Sequence, residues 1–376
     1  MKILEDINVD NKKVIVRVDY NVPIKNKVIE DDNRIKESVK TIEYLINHNA
    51  KIILMSHMGK VKEESDKEKY SLKIVADRLS KLLNKEVMFS KNTTGKELEE
   101  KINSMKERDV LLIENTRFED INENKESSCD EELSKYWASL AEVFVMDAFG
   151  SCHRAHASTY GISKYLPSCI GFLVEKELSV LNEVLVNKDK DIILGGAKVD
   201  KLEVVRNLVD KSNHILIGGV MSFTFLKMLG YNVGPNFVDE EKLEEVKELY
   251  EKYKDKIILP LDFITPTGIK EINNLNDSGY DIGPKTIEKF KEVINGSSLV
   301  VCAGPLGKFE EENYENGTKE ILKYLSENNI KTIIAGGDTG NAAHKWNYNF
   351  YYISTGGGAT LEYLSGKEFK SLENMK

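Results

Sequence analysis

The sequence predicts an α/β fold with parallel sheets, and three features of the chain support this prediction. Short apolar runs recur along its 376 residues, and most are continuous, as in strands that are buried on both faces of a parallel sheet. The segments between them are amphipathic: in residues 239–254 the apolar side chains recur at helical spacing among glutamates and lysines. Strand-like and helix-like segments alternate throughout, which is typical of the α/β class.

The chain is long enough for two domains. The predicted strands are residues 13–18, 52–55, 110–113, 143–146, 192–194, 215–217, 257–259, 299–301, 332–334 and 350–353. A single sheet of ten strands would be large, so we expect two sheets in two domains. Residues 171–187 are predicted to form a helix, which is expected to join an N-terminal domain (1–170) to a C-terminal domain (188–362).

The composition excludes several classes of protein. Hydrophobic residues make up 41% of the chain and charged residues 31%, a balance typical of a globular rather than a disordered protein. The net charge of −9 argues against a nucleic-acid-binding protein. The N-terminus lacks the apolar segment of a secretory signal, and no stretch approaches the ~18 consecutive apolar residues of a membrane span. The four cysteines show no CxxC spacing and are expected to be reduced thiols in the cytoplasm.

Cationic side chains follow the predicted strands of the N-terminal half. Ligands of open α/β sheets bind outside the carboxyl ends of the strands, where these residues are expected to gather. They are Arg34, His57, Lys60, Arg117, His153, Arg154 and His156. Arginine binds phosphate and carboxylate groups in a bidentate manner. The set therefore favours a binding site for a small phosphorylated acid over the alternative that these are ordinary surface arginines. The two neighbouring histidines could also indicate a metal site, but no carboxylate or thiol stands at the usual ligand spacing, which favours a structural or anion-orienting role.

Glycine-rich turns follow the predicted strands of the C-terminal half. They begin at Gly195, Gly218, Gly304, Gly336 and Gly356, and each precedes a helix-like stretch. Glycine allows backbone N–H groups to approach phosphate oxygens, and a helix start adds partial positive charge. Five such turns favour a polyphosphate ligand such as a nucleotide. Asp338, within one of them, would then serve either as a helix cap or as a Mg²⁺ contact.

One half therefore suits a small anion and the other a nucleotide, which is the arrangement of a two-domain phosphotransferase. A dehydrogenase would share the order of strands and helices, but the Gly-x-Gly-x-x-Gly fingerprint is absent. Lys198 directly follows Gly195-Gly196-Ala197, yet the spacing is not that of a P-loop.

The chain resembles the phosphoglycerate kinase family over essentially its whole length. The matching segments, in order, are VRVDYNVP (16–23), DDNRI (31–35), ILMSHMG (53–59), ENTRF (114–118), DAFGSCHRAHAS (147–158), GFLVEKEL (171–178), GGAKV (195–199), TFLK (224–227), DIGPKT (281–286), AGGDT (335–339) and STGGGATLE (354–362). DAFGSCHRAHAS alone is highly specific.

The resemblance implies two Rossmann-like domains joined by a helix across a hinge cleft, with residues 363–376 packing back onto the N-terminal domain. It implies reversible phosphoryl transfer between 1,3-bisphosphoglycerate and ADP, which gives 3-phosphoglycerate and ATP in glycolysis or gluconeogenesis. Mg²⁺ accompanies the nucleotide in such an enzyme. A monomer without nucleic-acid or membrane partners is expected.

The family's site residues can be placed on the matching positions of this sequence. The substrate-binding residues would be Asp19, Tyr20, Asn21, Arg34, His57, Met58, Gly59, Lys60, Arg117 and Arg154; the nucleotide-binding residues would be Lys198, Lys201, Glu310, Gly336, Gly337, Asp338 and Thr339, with Asp338 as the Mg²⁺ ligand. Arg34, Lys198 and Gly357 would act on the transferring phosphoryl group. Phosphoryl transfer needs alignment and cations around the equatorial oxygens, and the attacking oxygen is already ionised, so no general base is required.

Several departures from the family pattern bear on ligand binding. Lys60 replaces the usual arginine, which keeps the charge but loses the bidentate fork. Val199 runs directly into Asp200, so this segment is one residue shorter than the family pattern. A missing residue turns a following helix by about 100°. The shorter segment therefore bears on the assignment of Lys201 as a nucleotide-binding residue. Ala303 replaces an asparagine that contacts the nucleotide in the family, and Ala335 replaces a glycine. A catalytically weak or substrate-shifted paralogue that binds nucleotide or a partner is the alternative to an active kinase.

Restoring the family's asparagine at position 303 is expected to strengthen nucleotide binding, because the missing amide is a polar contact. The nucleotide KM of the Ala303→Asn variant should therefore fall below that of the unmodified chain in steady-state kinetics. An unchanged nucleotide KM would show that this departure does not affect affinity.

Overall fold

The computed structural model describes residues 1–197 and 201–376, which form two compact units. The first unit contains Met1–Leu178 together with Glu368–Lys376, and the second contains Ser179–Lys367. The boundary at Leu178 falls inside a helix, α6 (Phe172–Val186). Within the described ranges, no helix has the length and apolar character needed to cross a membrane.

The first unit is built on a six-stranded parallel sheet with the order β5-β6-β4-β1-β7-β8. The strands of this unit, including the small hairpin β2–β3, are β1 (Lys13–Val18), β2 (Ile24–Lys25), β3 (Val28–Ile29), β4 (Lys51–Met55), β5 (Val87–Ser90), β6 (Val110–Ile113), β7 (Val143–Asp147) and β8 (Ser168–Ile170). The helices that precede α6 are α1 (Asn33–Asn47), α2 (Asp66–Lys69), α3 (Lys73–Leu83), α4 (Lys96–Asn103) and α5 (Glu131–Ser139).

The second unit is built on a second six-stranded parallel sheet, with the order β11-β10-β9-β15-β16-β17, and on a small antiparallel sheet, β13-β12-β14. Its strands are β9 (Asp191–Leu194), β10 (His214–Ile217), β11 (Ile257–Ile258), β12 (Asp262–Thr265), β13 (Gly268–Glu271), β14 (Asp281–Ile282), β15 (Val300–Ala303), β16 (Thr332–Ile334) and β17 (Tyr352–Ile353). Its helices are α7 (Leu202–Leu208), α8 (Met221–Met228), α9 (Leu243–Tyr253), α10 (Pro284–Ile294), α11 (Asn316–Glu327), α12 (Gly337–Lys345) and α13 (Gly358–Leu364).

The predicted α/β class with parallel sheets is confirmed. Each of the ten predicted strands lies in one of the two large sheets. The strands that sequence analysis missed are short or lie at edges: β5 and β8 are the two edge strands of the first sheet, and β8 has only three residues. The antiparallel sheet was also missed, because β13 is largely exposed and lacks an apolar run.

The cores lie against the faces of the large sheets. In β1 every residue after Lys13 is buried, which explains its continuous apolar pattern. Val14, Val16 and Val18 share one core cluster with Ile42 and Leu45 of α1. Arg17 lies between these positions, on the opposite face of the strand, because successive side chains of a strand alternate.

The last residues of the chain pack on the first unit. The backbone N–H of Lys2 donates to the carbonyl of Met375 at 2.6 Å, and the Ser371 hydroxyl donates to the carbonyl of Cys152 at 2.5 Å. Met375 and Ser371 are fully buried. The two ends of the chain therefore meet in the same unit.

The carboxylate of Asp147, at the end of β7, accepts hydrogen bonds from the first turn of α6. Its Oδ1 accepts from the backbone N–H groups of Leu173 and Val174, at 2.9 and 3.3 Å. Asp147 is fully buried, and burial raises its pKa to about 6. Gly171 lies directly against this carboxylate: an added Cβ would stand 2.4 Å from Oδ1.

Gly171→Ala is therefore expected to destabilise the chain, because the new methyl group must displace a buried carboxylate. Overpacking of this kind costs about 1–3 kcal/mol and should lower the melting temperature by several degrees in calorimetry. Gly358→Ala is the matched control, since an added Cβ there meets no atom of the described residues within 4 Å. Equal melting temperatures for the two variants would contradict the prediction.

Candidate active site

The first unit brings the ends of four adjacent strands to one edge of its sheet. β6, β4, β1 and β7 are neighbours and run parallel, so the loops that follow them lie side by side. These loops contain the predicted residues Arg117 after β6, His57 and Lys60 after β4, Asp19 and Asn21 after β1, and Arg154 and His156 after β7. Arg34 lies in the first turn of α1.

Asp19 orients Arg34. The Nη1 of Arg34 donates to both carboxylate oxygens of Asp19, at 3.0 and 3.1 Å, and to the carbonyl of Asn21 at 3.2 Å. The side chain of Arg34 remains 32% exposed, whereas that of Asp19 is 7% exposed. An ion pair with one partly exposed partner contributes little to stability, so the main effect of this pair is to orient the guanidinium group of Arg34. The guanidinium is held in place with a surface that a ligand can reach.

Asn115 holds the loop that follows β4. Its amide nitrogen donates to the carbonyls of Met58 and Tyr70, at 2.7 and 3.0 Å. Its side-chain oxygen accepts from the backbone N–H groups of Met58 and Arg117, both at 3.1 Å. A fully buried side chain that makes four hydrogen bonds fixes the relative positions of two loops.

Arg117 extends from one of these loops to the other. Its Nη1 donates to the carbonyl of Gly59 at 2.9 Å. Its buried Nε has no hydrogen-bond partner within the described part of the chain. A buried donor without a partner costs about 1–3 kcal/mol, and an anion bound at Arg117 would remove that cost.

Arg17 determines the hydrogen-bonding state of His57. Its Nε donates to the Ser158 hydroxyl at 2.8 Å, and its Nη2 lies 3.1 Å from Nδ1 of His57. A guanidinium can only donate, so Nδ1 of His57 accepts and the proton of the neutral ring is on Nε2. Burial, together with the surrounding arginines, lowers the pKa of His57 well below its ordinary value. His57 therefore carries an uncharged N–H donor.

Glu126 is the buried carboxylate of this region. It accepts from the backbone N–H of Ser158 at 2.9 Å and from the Ser158 hydroxyl, and its Oε1 lies 4.0 Å from Nδ1 of His156.

Burial and the nearby arginines lower the pKa of His156 to about 3. Burial and the neighbouring Arg154 also lower the pKa of Arg117. The cations repel one another, which an anionic ligand would relieve.

The other predicted substrate residues divide into buried and exposed ones. Tyr20 is fully buried, with its hydroxyl 2.8 Å from that of Ser38, and Met58 is 3% exposed. Both lie in the core beneath the loops. Asn21 and Lys60 are exposed, and the side-chain oxygen of Asn21 accepts from the N–H of Gly59 at 2.9 Å. The structure thus brings the cations, Asn21 and Gly59 together at the edge but places Tyr20 and Met58 below it.

Sequence analysis missed the buried members of this region, Arg17, Asn115 and Glu126. Arg17 had a signal, because a lone arginine interrupts the apolar strand KVIVRV. Glu126 had none, since it lies in a charged loop and its carboxylate is bound by a residue distant in the sequence, Ser158.

The second unit has a pocket at the carboxyl ends of β9, β10 and β15. It is open to solvent, with a volume of about 330 Å³, and is lined by glycine-rich turns and aromatic side chains. Phe223 and Phe263, whose ring centroids are 4.9 Å apart, contribute to the lining, and so does Phe237, which is 60% exposed. Glu310 and Asp338 add carboxylates. An apolar pocket with a few polar groups fits the base and ribose of a nucleotide.

One glycine shows how closely the turns around this pocket approach each other. Gly219 has a φ of +60°, and an added Cβ would lie 2.5 Å from both the backbone N and O of Gly196. The backbone conformation and the close approach of the two turns therefore require glycine at this position, independently of any contact with a ligand.

Lys201 lies beneath these turns. Its side chain is buried, and its ammonium group donates to the carbonyl of Gly195 and, at 2.9 Å, to the carbonyl of Ala303. It thus links the carboxyl ends of β9 and β15, which are paired strands. Lys198, which was predicted to contact the transferring phosphoryl group, lies outside the described residues.

Two helices begin at the carboxyl ends of β16 and β17. α12 begins at Gly337, with Gly336 before it and Asp338 in its exposed first turn. The hydroxyl of Thr339 accepts from the N–H of Gly304 at 2.8 Å, which ties α12 to the turn after β15. α13 begins at Gly358, directly after Gly357.

A divalent cation in this unit would need ligands beyond the protein. Within residues 1–197 and 201–376, no group of three or more His, Cys, Asp or Glu side chains is placed to hold a metal ion. Mg²⁺, however, is usually held by one or two carboxylates together with phosphates and water. The exposed carboxylate of Asp338, beside glycine-rich turns, fits that requirement.

Acid is expected to destabilise the chain through His156. Because the folded chain holds the pKa of His156 at about 3, the unfolded chain binds a proton below pH 6.5 that the folded chain does not. The free energy of unfolding should therefore fall as the pH drops through this window, by up to about 1.4 kcal/mol per pH unit. In the His156→Gln variant the slope between about pH 6.5 and 4.5 should be smaller, as measured by urea unfolding.

His48→Gln is the control for this measurement, since His48 lies at the end of α1, outside the cationic region. If His156→Gln and the unmodified chain lose stability with the same slope, His156 is not the responsible group.

Comparison with known proteins gives a consistent result along the whole chain. The family model described as phosphoglycerate kinase matches residues 4–367. A phosphoglycerate kinase of Fusobacterium nucleatum is 47% identical over 391 residues, which cover 99% of this chain and 98% of that protein. A phosphoglycerate kinase of Enterococcus faecalis is 47% identical over 394 residues, covering 100% of this chain and 98% of that protein.

Solved structures agree. Phosphoglycerate kinase from Coxiella burnetii superimposes with a TM-score of 0.85 at 33% identity, covering 99% of this chain and 98% of that one. Phosphoglycerate kinase from Pyrococcus horikoshii superimposes with a TM-score of 0.86 at 31% identity, covering 100% of this chain and 98% of that one. The resemblance in the sequence motifs thus extends to the fold and over nearly the whole length of the chain, and the chain belongs to the phosphoglycerate kinase family.

Proposed function

We propose that this chain catalyses reversible phosphoryl transfer between 1,3-bisphosphoglycerate and ADP, giving 3-phosphoglycerate and ATP. The observation that supports it most directly is the cationic edge of the first unit, in a chain of this family. There Arg34, Arg117 and Arg154 accompany the neutral donor His57, and the carboxylates of Asp19 and Glu126 lie beside them. A phosphorylated carboxylic acid is the kind of ligand that such a set would bind.

Each side chain of this cationic edge has a distinct part in the proposal. Arg117, whose buried Nε has no partner among the residues that the structure describes, and Arg154 would bind phosphate or carboxylate oxygens of the phosphoglycerate. His57 would donate from Nε2 without adding charge. Arg34, held by Asp19, would face the carboxyl group on which the acyl phosphate forms, and Asn21, Gly59 and Lys60 would complete the contacts.

The nucleotide would occupy the pocket of the second unit. Its aromatic lining suits a base, Glu310 can accept hydrogen bonds from ribose hydroxyls, and the turn of Gly336, Gly337 and Thr339 offers backbone donors to phosphates at the start of α12. Mg²⁺, when bound, would neutralise charge on the phosphate oxygens, and Asp338 would hold it. The buried ammonium group of Lys201, beneath Gly195 and Ala303, would add positive charge below the phosphates.

The transfer itself would depend on cations placed around the phosphoryl group. Lys198 and Arg34 would contact its equatorial oxygens, and the helix start after Gly357 would offer backbone N–H donors. The attacking oxygen is ionised in both directions, so the chain need only align the reactants. We further propose that the enzyme is a cytoplasmic monomer, as its resemblance to this glycolytic family suggests.

Turnover of the purified chain with MgATP and 3-phosphoglycerate, with the acyl phosphate removed by a coupled reduction, tests the proposal. We expect a kcat in or above the usual kinase range of about 1–100 s⁻¹. Lys198→Ala should lower kcat by at least about 10²-fold, because it removes a cation from the transition state. Lys188→Ala, which removes an exposed lysine, is the matched control and should not change kcat.

Binding of both ligands without turnover in the unmodified chain would overturn the proposal in favour of a catalytically weak paralogue. Full turnover in Lys198→Ala would instead remove Lys198 from the mechanism.

A further inference from the structure

A buried carboxylate lies behind one wall of the nucleotide pocket. Asp281, at the start of β14, is 2% exposed and contributes to the pocket lining together with Tyr280, Gly307, Lys308 and Glu310. Its two oxygens have different partners: Oδ2 accepts from the backbone N–H of Gly317 at 2.6 Å, and Oδ1 accepts from that of Ile282 at 2.9 Å. Gly317 lies in the first turn of α11.

Two glycines leave room for this carboxylate. An added Cβ on Gly307, in the pocket wall, would lie 2.1 Å from Oδ1 of Asp281, and one on Gly317 would lie 2.3 Å from the same oxygen. The carboxylate therefore fills the space between the wall and the start of α11.

The wall has two further attachments close to Asp281. The hydroxyl of Thr318 accepts from the backbone N–H groups of Leu306 and Gly307, at 2.9 and 3.3 Å, and the N–H of Lys308 donates to the carbonyl of Tyr280 at 2.9 Å. Thr318 follows Gly317 in α11, and Tyr280 precedes Asp281 in the chain. Both attachments thus depend on elements that the carboxylate of Asp281 joins to each other.

We propose that Asp281 is a positioning residue for the nucleotide. Its carboxylate fixes the start of α11 against β14, and thereby holds the pocket wall of residues 305–310, including Glu310, at the distance that the nucleotide requires. Asp281 touches no reacting atom in this scheme, so it acts on nucleotide affinity rather than on the chemical step. The proposal rests on the assignment of this pocket to the nucleotide.

Asp262, in the neighbouring strand β12, provides a matched control. It is also buried, at 1% exposure, and also accepts from the first turn of a helix: its Oδ1 accepts from the N–H of Thr286 at 2.9 Å, and its Oδ2 from that of Lys285 at 3.1 Å. That helix is α10, and Asp262 does not contribute to the described pocket lining. The two aspartates therefore share a structural role but differ in their relation to the pocket.

The test compares Asp281→Asn with Asp262→Asn. Each amide keeps one accepting oxygen and turns an NH₂ group toward a backbone N–H, so both variants should melt at a lower temperature than the unmodified chain. We expect Asp281→Asn to raise the KM for ADP and for ATP by about tenfold, with kcat and the KM for 3-phosphoglycerate changed by less than about twofold. Asp262→Asn should leave all three constants within about twofold.

Gly317→Ala provides a second perturbation that leaves the Asp281 side chain chemically unchanged. Gly317 does not contribute to the described pocket lining, but its new methyl group must displace the Asp281 carboxylate, so the nucleotide KM should rise here as well. This variant keeps the proposal testable if Asp281→Asn fails to fold.

Calorimetric titration with ADP, at a temperature well below the melting point of each variant, separates this proposal from the proposed function. If the unmodified chain shows no turnover but binds ADP, the dissociation constants of the variants still test Asp281. The proposal is overturned if Asp281→Asn binds ADP as tightly as the unmodified chain, or if Asp262→Asn weakens binding to the same extent. It is also overturned if the KM for 3-phosphoglycerate rises together with that for the nucleotide.

Discussion

Parallel pairing of buried strands is the constraint on which both candidate ligand sites depend. A parallel sheet directs the carboxyl ends of its strands to one edge. Residues that follow these strands therefore become neighbours through strand pairing alone, even when they are far apart in the sequence. In the first unit, β1 pairs with both β4 and β7, and the loops after these strands supply Asp19, His57 and Arg154. In the second unit, β9 pairs with both β10 and β15, and the turns after them line the pocket.

Buried polar groups then hold the loops at these edges. Asn115 joins the loops after β4 and β6, Arg17 joins β1 to Ser158 and His57, and Lys201 joins the ends of β9 and β15. Each of these groups would be costly to bury alone, and hydrogen bonds to backbone or side-chain partners offset that cost. Because removing any one partner leaves another buried group unpaired, such networks fix one arrangement of the loops.

Three buried aspartates make the same kind of local contact. Asp147, Asp262 and Asp281 each accept from backbone N–H groups in the first turn of a helix, where the helix dipole also favours negative charge. Desolvation nevertheless dominates for two of them: burial raises the pKa of Asp147 to about 6 and that of Asp281 to about 7. Burial that disfavours the charge and hydrogen bonds that favour it therefore compete in the same side chain.

The sequence by itself determined the α/β class, the strands of both large sheets apart from two edge strands, and the residue types at the strand ends. These features are local, because a continuous apolar run and the polar residues that end it can be read from neighbouring positions. Short edge strands such as β8 and the exposed strand β13 gave no comparable pattern. The candidate substrate residues were also named from the sequence, but their depth was not: Tyr20 and Met58 lie in the core, whereas Asn21 and Lys60 lie at the surface.

Only the tertiary structure decided which charges are buried and what holds them. The hydrogen bond between Arg17 and Ser158 joins residues 141 positions apart, and that between Lys201 and Ala303 joins residues 102 positions apart. Whether a charged side chain loses its water depends on packing between such distant segments, and so does the pKa of each neighbouring group. The proton on Nε2 of His57, the buried ammonium group of Lys201 and the space between Gly307 and Gly317 that Asp281 fills all follow from that packing, which no local pattern in the sequence records.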